Sequence, residues 1–157
     1  MLSEVRLRAL QESPTAFAST FEAEAGRSAS AWETDAARRA QGTDEATFLA
    51  VGDGQCVGLV SAGRSGERPG VELFSMWVAP ETRRRRIAVH LVRAVINWAD
   101  AYGHETVWLW VARGNEPAIR LYQRMGFVTT GSHKPLPSVS EKELTLMVRP
   151  LGRRGDG

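Results

Sequence analysis

Four consecutive arginines stand where a predicted strand passes into the clearest predicted helix of the chain: Arg83, Arg84, Arg85 and Arg86. The helix dipole already places partial positive charge at a helix start, so cations there cost up to about 1 kcal/mol of stability. Free backbone N–H groups at a helix start also bind phosphate, and arginine side chains add charge-assisted hydrogen bonds. The placement therefore predicts an anion-binding site, with a solvated basic face as the plainer alternative.

The charge along the chain is uneven and favours an anionic ligand in the second half. Residues 1–60 carry nine Asp and Glu against five Arg, and residues 61–157 carry fifteen Lys and Arg against nine Asp and Glu. A nucleic acid would also satisfy four arginines. Such a binding face usually has further basic clusters with interleaved aromatic residues, and the sequence has no second cluster. Nucleic acid is therefore not an expected partner.

Length and composition predict a single globular domain. The chain has 157 residues, of which 43% are hydrophobic and 24% charged. We expect one domain over 1–151 and a disordered polar tail over 152–157. No apolar run approaches the ~20 residues of a membrane span, and no secretory signal is visible, so a cytoplasmic protein without a membrane partner is expected. One cysteine and three scattered histidines give no disulfide framework and no metal-ligand spacing, so no metal is expected.

Hydrophobic periodicity predicts the elements that position these groups. We expect helices in the first third of the chain, then strands over 46–51, 55–62 and 71–78. A helix that ends at Gly103 follows, then a strand over 105–111 and a short helix over 115–124. The last strands, over 127–130 and 143–148, are joined by a loop over 131–140. This order predicts a mixed α/β domain with a mostly antiparallel sheet and one crossover.

Two motifs in the second half resemble those of the GNAT superfamily of N-acetyltransferases. Residues 78–92, VAPETRRRRIAVHLV, are similar to the acetyl-CoA motif Gln/Arg-x-x-Gly-x-Gly/Ala, which Arg83 and Ala88 fit. Residues 115–127, NEPAIRLYQRMGF, are similar to the motif Asn-x-x-Ala-x-x-x-Tyr-x-x-x-Gly-Phe. The two lie about 30 residues apart with the expected strand between them. The resemblance spans roughly residues 46–151 and implies a GNAT-like central mixed sheet flanked by helices.

The resemblance also implies where acetyl-CoA binds. Backbone N–H groups of one strand would hold the thioester carbonyl and the pantetheine arm, which requires a bulge or splay in that strand. These residues are Met76, Trp77 and Val78. The pyrophosphate would lie against the backbone of the loop and helix start, formed by Arg84, Arg85, Arg86, Ile87, Ala88 and Val89, with Arg83 as the motif arginine.

Tyr122 matches the motif tyrosine of the family, which implies a general acid for the departing thiolate. A phenol with a pKa near 10 can protonate a thiolate. The alternative is a core aromatic residue of the short helix. Asn115 could bond the cofactor arm with its amide or cap that helix, since asparagine is a favoured N-cap; both roles are compatible.

Glu72 lies on the strand before the arginines, where some family members place a general-base glutamate. Partial burial would raise its pKa and make it a better base. The alternative is an edge carboxylate near the strand start, and many relatives of the family use a chain of water molecules instead of a glutamate.

Two departures from the family pattern stand out. Arg86 occupies a position where the family has glycine, which lets the backbone approach the pyrophosphate closely. Arg86 must therefore turn its side chain aside or contact the phosphates itself. The fold also usually begins with a β-strand, and the first strand is apparently missing here. An unpaired sheet edge invites association, so a homodimer is among the expectations.

These observations lead to a hypothesis and two alternatives. The leading hypothesis is transfer of an acetyl group from acetyl-CoA, as cosubstrate, to the amine of a small molecule or peptide in a ternary complex. The first alternative is a catalytically weak CoA-binding protein with a sensor or structural role, motivated by Arg86 and the missing strand. A nucleic-acid-binding module is the second alternative.

Overall fold

In the computed structural model of the protein, the described residues are 44–52, 54–82, 86–136 and 139–152, with side-chain surroundings left out for 139–141. Several expectations fall outside these ranges. They concern the N-terminal helices, the apparently missing first strand of the family fold, and the tail beyond residue 152. They also concern the three arginines Arg83, Arg84 and Arg85. Within the described ranges, no helix is long and apolar enough to cross a membrane.

Six strands form one sheet in the order β1-β2-β3-β4-β6-β5. The strands are β1 (Glu45–Gly52), β2 (Gln55–Gly63), β3 (Val71–Val78), β4 (Thr106–Ala112), β5 (Val128–Leu136) and β6 (Val139–Pro150). The pair β3–β4 is parallel, and the other neighbours are antiparallel. A hairpin joins β1 to β2, as the Asp-Gly turn predicts. The mixed, mostly antiparallel α/β sheet expected from the sequence is confirmed.

Two helices and one turn of 3-10 helix accompany the described strands. A 3-10 turn at Pro80–Thr82 precedes helix α1 (Ile87–Ala101), and helix α2 (Glu116–Arg124) follows β4. Helix α1 ends before Gly103, whose φ of 78° is the left-handed conformation that favours glycine after a helix. The two helices predicted in the second half of the chain and the first four strands agree with the structure to within a few residues.

The predicted loop over 131–140 is wrong. Most of it is strand, because β5 extends to Leu136 and β6 begins at Val139. Pro135 is tolerated because β5 is an edge strand of the described sheet, so its missing N–H removes no bond to a further strand. Gly131 lies at a register shift between β5 and β6, with φ of 83°, which explains why the sequence looks like a loop.

The two faces of the sheet carry different side chains. Helices α1 and α2 pack on one face, in a core that includes Leu73, Val95, Leu109 and Tyr122. Successive side chains of a strand point to opposite faces, so Trp108, next to Leu109, lies on the other face. That face also holds a smaller cluster around Leu59, Trp77 and Ala79.

Candidate functional site

The neighbouring strands β3 and β4 part halfway along their length. Their parallel pairing covers three residue pairs, from Val71–Val107 to Leu73–Leu109. Beyond that point the described register pairs β3 with β2 and β4 with β6. We call this gap the strand opening. The carboxyl-terminal half of β3 is therefore not paired with β4, and ligands of open α/β sheets commonly bind at the carboxyl ends of strands.

A bulge in β3 lies at the same place. Two residues of β3, Ser75 and Met76, stand opposite Val60 of β2, and Ser75 has φ of 57°. A left-handed conformation costs a residue other than glycine of order 1–3 kcal/mol and persists where the surroundings impose it. The bulge or splay that the resemblance requires ahead of Met76–Val78 is confirmed.

Of the three residues proposed for the pantetheine arm, Met76 lies in the bulge, and Trp77 and Val78 follow it. Met76 is half-buried against the helix-side core. Trp77 and Val78 are buried, with Trp77 on the opposite face from Val78. The bulge thus places this strand segment along the strand opening. Its contacts with a cofactor remain a prediction.

Arg86 is the residue before the first turn of α1, and its backbone is strained. Its φ is 60° and ψ is 22°, and no side chain caps the helix at this position. This left-handed conformation is the one that glycine adopts without a steric penalty. Arg86 therefore keeps the backbone geometry of the family's glycine while adding a charged side chain. That side chain is exposed and lines a groove.

A groove of about 500 Å³ runs between α1 and α2. We call it the basic groove; its lining residues are Arg86, Ala88, Val89, Arg93, Leu121, Arg124 and Met125. Within the described part of the chain, its three arginines form no salt bridge. Three positive charges at one groove favour an anionic ligand. Ile87 instead packs on the core.

Arg93 and Arg124 were missed by the sequence reasoning. Arg93 lies seven residues after Arg86, which is two helical turns, so both project from the same side of α1. Arg124 lies in the last turn of α2. Helical spacing from Arg86 was the signal that could have identified Arg93. The position of Arg124 depends on how α2 packs beside α1, which spacing does not give.

Tyr122 lies on α2 and is buried, with its ring edge-on to Phe127 at 5.7 Å between centroids. Burial raises its pKa above the usual 10, so the phenol stays protonated throughout the neutral range. No hydrogen bond to its hydroxyl occurs among the described residues. The core packing that the sequence offered as an alternative is thus present, and the role as a proton donor stays a prediction.

Asn115 caps α2. Its Oδ1 accepts a hydrogen bond from the Ala118 backbone N–H at 3.4 Å, and Pro117 in the first turn suits a helix start. The capping role is confirmed, and a contact of Asn115 with the cofactor stays a prediction.

Glu72 lies on β3 directly beside Trp108 of β4, on the face away from the helices. Its side chain is half-buried. Burial raises the pKa of this carboxyl, Glu67 raises it further, and Lys134 lowers it. A raised pKa is what a general base near neutral pH requires. The partial burial expected for Glu72 is confirmed.

Further side chains around Glu72 form a cluster that the sequence reasoning did not identify. Glu67 precedes β3 and accepts hydrogen bonds from Trp110 Nε1 and Lys134 Nζ, both at 3.3 Å. The Lys134 ammonium also lies 4.4 Å from the centroid of the Trp110 ring. These contacts join a loop, β4 and β5, so sequence spacing gives no signal for them.

The same face holds a second tryptophan with a cation over its ring. The Arg68 guanidinium lies 5.5 Å from the Trp108 ring centroid. Trp108 is fully buried, and within the described part of the chain its Nε1 has no hydrogen-bond partner. A buried donor without a partner costs about 1–3 kcal/mol. We call this set the tryptophan face; it consists of Glu67, Arg68, Glu72, Trp108, Trp110 and Lys134.

Comparisons with known proteins agree with this geometry. A sequence model of the Acetyltransferase (GNAT) family matches residues 8–127. Streptothricin acetyltransferase from Streptomyces lavendulae is 36% identical over 89 residues, which cover 56% of this chain and 47% of the relative. An uncharacterized N-acetyltransferase from Schizosaccharomyces pombe is 32% identical over 88 residues, covering 55% and 54%. The chain thus matches about half the length of these curated relatives.

Solved structures show the same fold. A nourseothricin acetyltransferase is 30% identical with a TM-score of 0.63, covering 69% of this chain and 66% of that one. A putative acetyltransferase from Salmonella typhimurium, solved with its cofactor acetyl-CoA, has a TM-score of 0.78 at 20% identity and covers 99% and 90%. With the family match over residues 8–127, the chain belongs to the GNAT family of acetyltransferases.

Proposed function

We propose that the protein is an N-acetyltransferase that moves the acetyl group of acetyl-CoA to a primary amine by direct attack in a ternary complex. The observation that carries the proposal is the strand opening beside the basic groove. The opening suits the narrow, uncharged pantetheine arm. The groove suits the phosphates. Family membership supports the same assignment.

Arg86, Arg93 and Arg124 would hold the phosphates of acetyl-CoA. Their side chains line the basic groove without internal ion pairs among the described residues, and arginine binds phosphate oxygens in bidentate geometry. The start of α1 adds backbone N–H groups that favour an anion. Acetyl-CoA, when bound, supplies an activated thioester whose acetyl group a neutral amine accepts.

Glu72 would accept a proton from the attacking amine. Burial and Glu67 raise its pKa, so this carboxylate takes up a proton more readily than an exposed glutamate. Tyr122 would donate a proton to the leaving thiolate. Burial raises the pKa of Tyr122, so its hydroxyl carries its proton at neutral pH and is present as the donor when the thiolate leaves.

A small molecule is the acceptor class that we favour. Two relatives of at least 30% identity are named for the acetylation of antibiotics, streptothricin and nourseothricin. A [ribosomal protein bS18]-alanine N-acetyltransferase from Haemophilus ducreyi, 32% identical over 78 residues, represents a protein acceptor.

A catalytically weak CoA-binding protein is the second candidate, and Arg86 is the observation that favours it. An arginine in the left-handed conformation retains the shape of the glycine turn and places a large side chain beside the groove. Such a residue could restrict how closely the pyrophosphate approaches the backbone.

The experiment measures amine-dependent release of the CoA thiol from acetyl-CoA, with mass spectrometry of the acetylated amine. We expect turnover with at least one small primary amine, and a fall in kcat/KM of about a hundredfold in Glu72→Gln, as for loss of a general base. Glu143→Gln is the matched control, because Glu143 is an exposed carboxylate in an ion pair with Arg113. Binding of acetyl-CoA without amine-dependent release for any acceptor would favour the second candidate.

A further inference from the structure

The Lys134 ammonium occupies a site built for a cation. It lies 4.4 Å from the Trp110 ring centroid and 3.3 Å from a carboxylate oxygen of Glu67. An aromatic face and a carboxylate together are what proteins use to bind organic ammonium groups. Here the cation comes from the chain itself.

The ion pair between Lys134 and Glu67 is weak enough for the ammonium group of a ligand to displace Lys134. The Lys134 and Glu67 side chains are 36% and 49% exposed. Ion pairs at such positions contribute little, because water screens the charges and two long side chains must be held in place. A bound ligand with its own ammonium group can therefore take the place of Lys134, which swings out to solvent.

The cation site lies beside the proposed reaction centre. Trp110 follows Leu109, the last β4 residue in register with β3, so it stands at the strand opening. It faces away from the helices, on the same face as Glu72. A molecule that presents one amine near Glu72 can place a second group over Trp110.

A buried donor on the same face independently points to a ligand. Trp108 is fully buried and stands in register with Glu72, and among the described residues its Nε1 has no hydrogen-bond partner. A ligand with a carbonyl or hydroxyl oxygen would supply the missing acceptor.

We propose that the acceptor is a small diamine that also carries a hydrogen-bonding oxygen. One amine is acetylated near Glu72, and the second, as an ammonium ion, binds Trp110 and Glu67 in place of Lys134. Glu67 is then a specificity residue. This inference rests on the proposed function, since it names the class of the acceptor.

The test compares L-lysinamide with L-norleucinamide, which share the α-amine and the amide and differ in the terminal ammonium group. Binding of each to the CoA-saturated protein is measured by calorimetry. We expect lysinamide to bind about tenfold more tightly. In Glu67→Gln the difference in affinity between the two amides should disappear. In Lys134→Met, lysinamide but not norleucinamide should bind severalfold more tightly, because the Lys134 ammonium group no longer competes for the cation site. Glu143→Gln should retain the wild-type difference.

Equal binding of the two amides, or binding of neither to the CoA-saturated protein, would overturn the inference. So would a loss of affinity for both amides alike in Glu67→Gln, which would assign Glu67 a purely structural role in tying its loop to β5. Failure of the proposed function is distinguished by the CoA titration itself. A protein that does not bind CoA fails at the first step, before either amide is added.

Discussion

On the helix side of the strand opening, the basic groove presents Arg86, Arg93 and Arg124 without internal partners among the described residues. On the other side, the tryptophan face presents Glu67 and Glu72 beside two indole rings, and its two cations lie over those rings. The same opening thus separates a surface that favours an anion from one that favours a cation. Charge complementarity would steer the proposed anionic cofactor and cationic acceptor to different sides.

The two sides also differ in how they are built. The groove begins at a backbone in a strained left-handed conformation, at Arg86, and the β3 bulge contains a second such residue, Ser75. The tryptophan face depends on side-chain contacts from a loop and two strands. Backbone geometry defines the proposed cofactor side, and exchangeable side chains define the proposed acceptor side.

The largest effect that separates the two sides concerns the pH dependence of activity. A general base works only above its pKa, and the pKa of Glu72 is raised by burial and by Glu67 and lowered by Lys134. Glu67→Gln removes a negative charge and so lowers the pKa of Glu72. The acidic limb of the pH profile of kcat/KM should therefore move to lower pH. Lys134→Met removes a positive charge, so the limb should move to higher pH. Along the limb, each pH unit of displacement changes the rate about tenfold.

The pH profiles are measured with one monoamine acceptor, so that the cation site over Trp110 is not engaged. Arg93→Gln, on the groove side, is the control and should leave the position of the limb unchanged. Movement of the limb in the same direction in both variants would contradict Glu72 as the base.

A smaller effect concerns stability at Arg86. The left-handed conformation costs about 1–2 kcal/mol in a residue with a Cβ atom, and glycine is free of that cost. We expect Arg86→Gly to be more stable than Arg86→Ala by about 1 kcal/mol in urea denaturation, because both lose the charge and only glycine relieves the strain. Equal stabilities of the two variants would show that the backbone at residue 86 is not strained in solution.

Local pattern predicted much of the fold. Alternating strands, the Asp-Gly turn and the apolar stripe of α1 gave the element order, and the preference of asparagine for helix starts gave the N-cap at Asn115. The pattern failed at β5, where Gly131 and Pro135 look like loop residues. An edge strand with a bulge tolerates both a glycine and a proline. Local sequence cannot predict this, because the position of a strand at the edge depends on the order of the whole sheet.

The sequence predicted the backbone features of the candidate site and Glu72, and it missed most of the side chains around them. Resemblance to the family pointed to the bulge at Ser75 and Met76 and to the unusual residue Arg86. Both features lie within or next to the family motifs, so the local sequence was enough to locate them. The contacts of Glu67 with Trp110 and Lys134 join residues 43 and 67 positions apart. No local spacing encodes such pairs, which arise when the sheet order brings β4, β6 and β5 together.

The central claim is that the cofactor and the acceptor bind on opposite sides of the strand opening. Calorimetric titration of acetyl-CoA into the wild type and two double variants tests it most directly. Arg93→Gln/Arg124→Gln should raise the Kd about tenfold or more, as expected for loss of charged hydrogen bonds. Glu67→Gln/Glu72→Gln should leave the Kd within about twofold. An unchanged Kd in the arginine variant, or an equal loss of affinity in both, would contradict the claim.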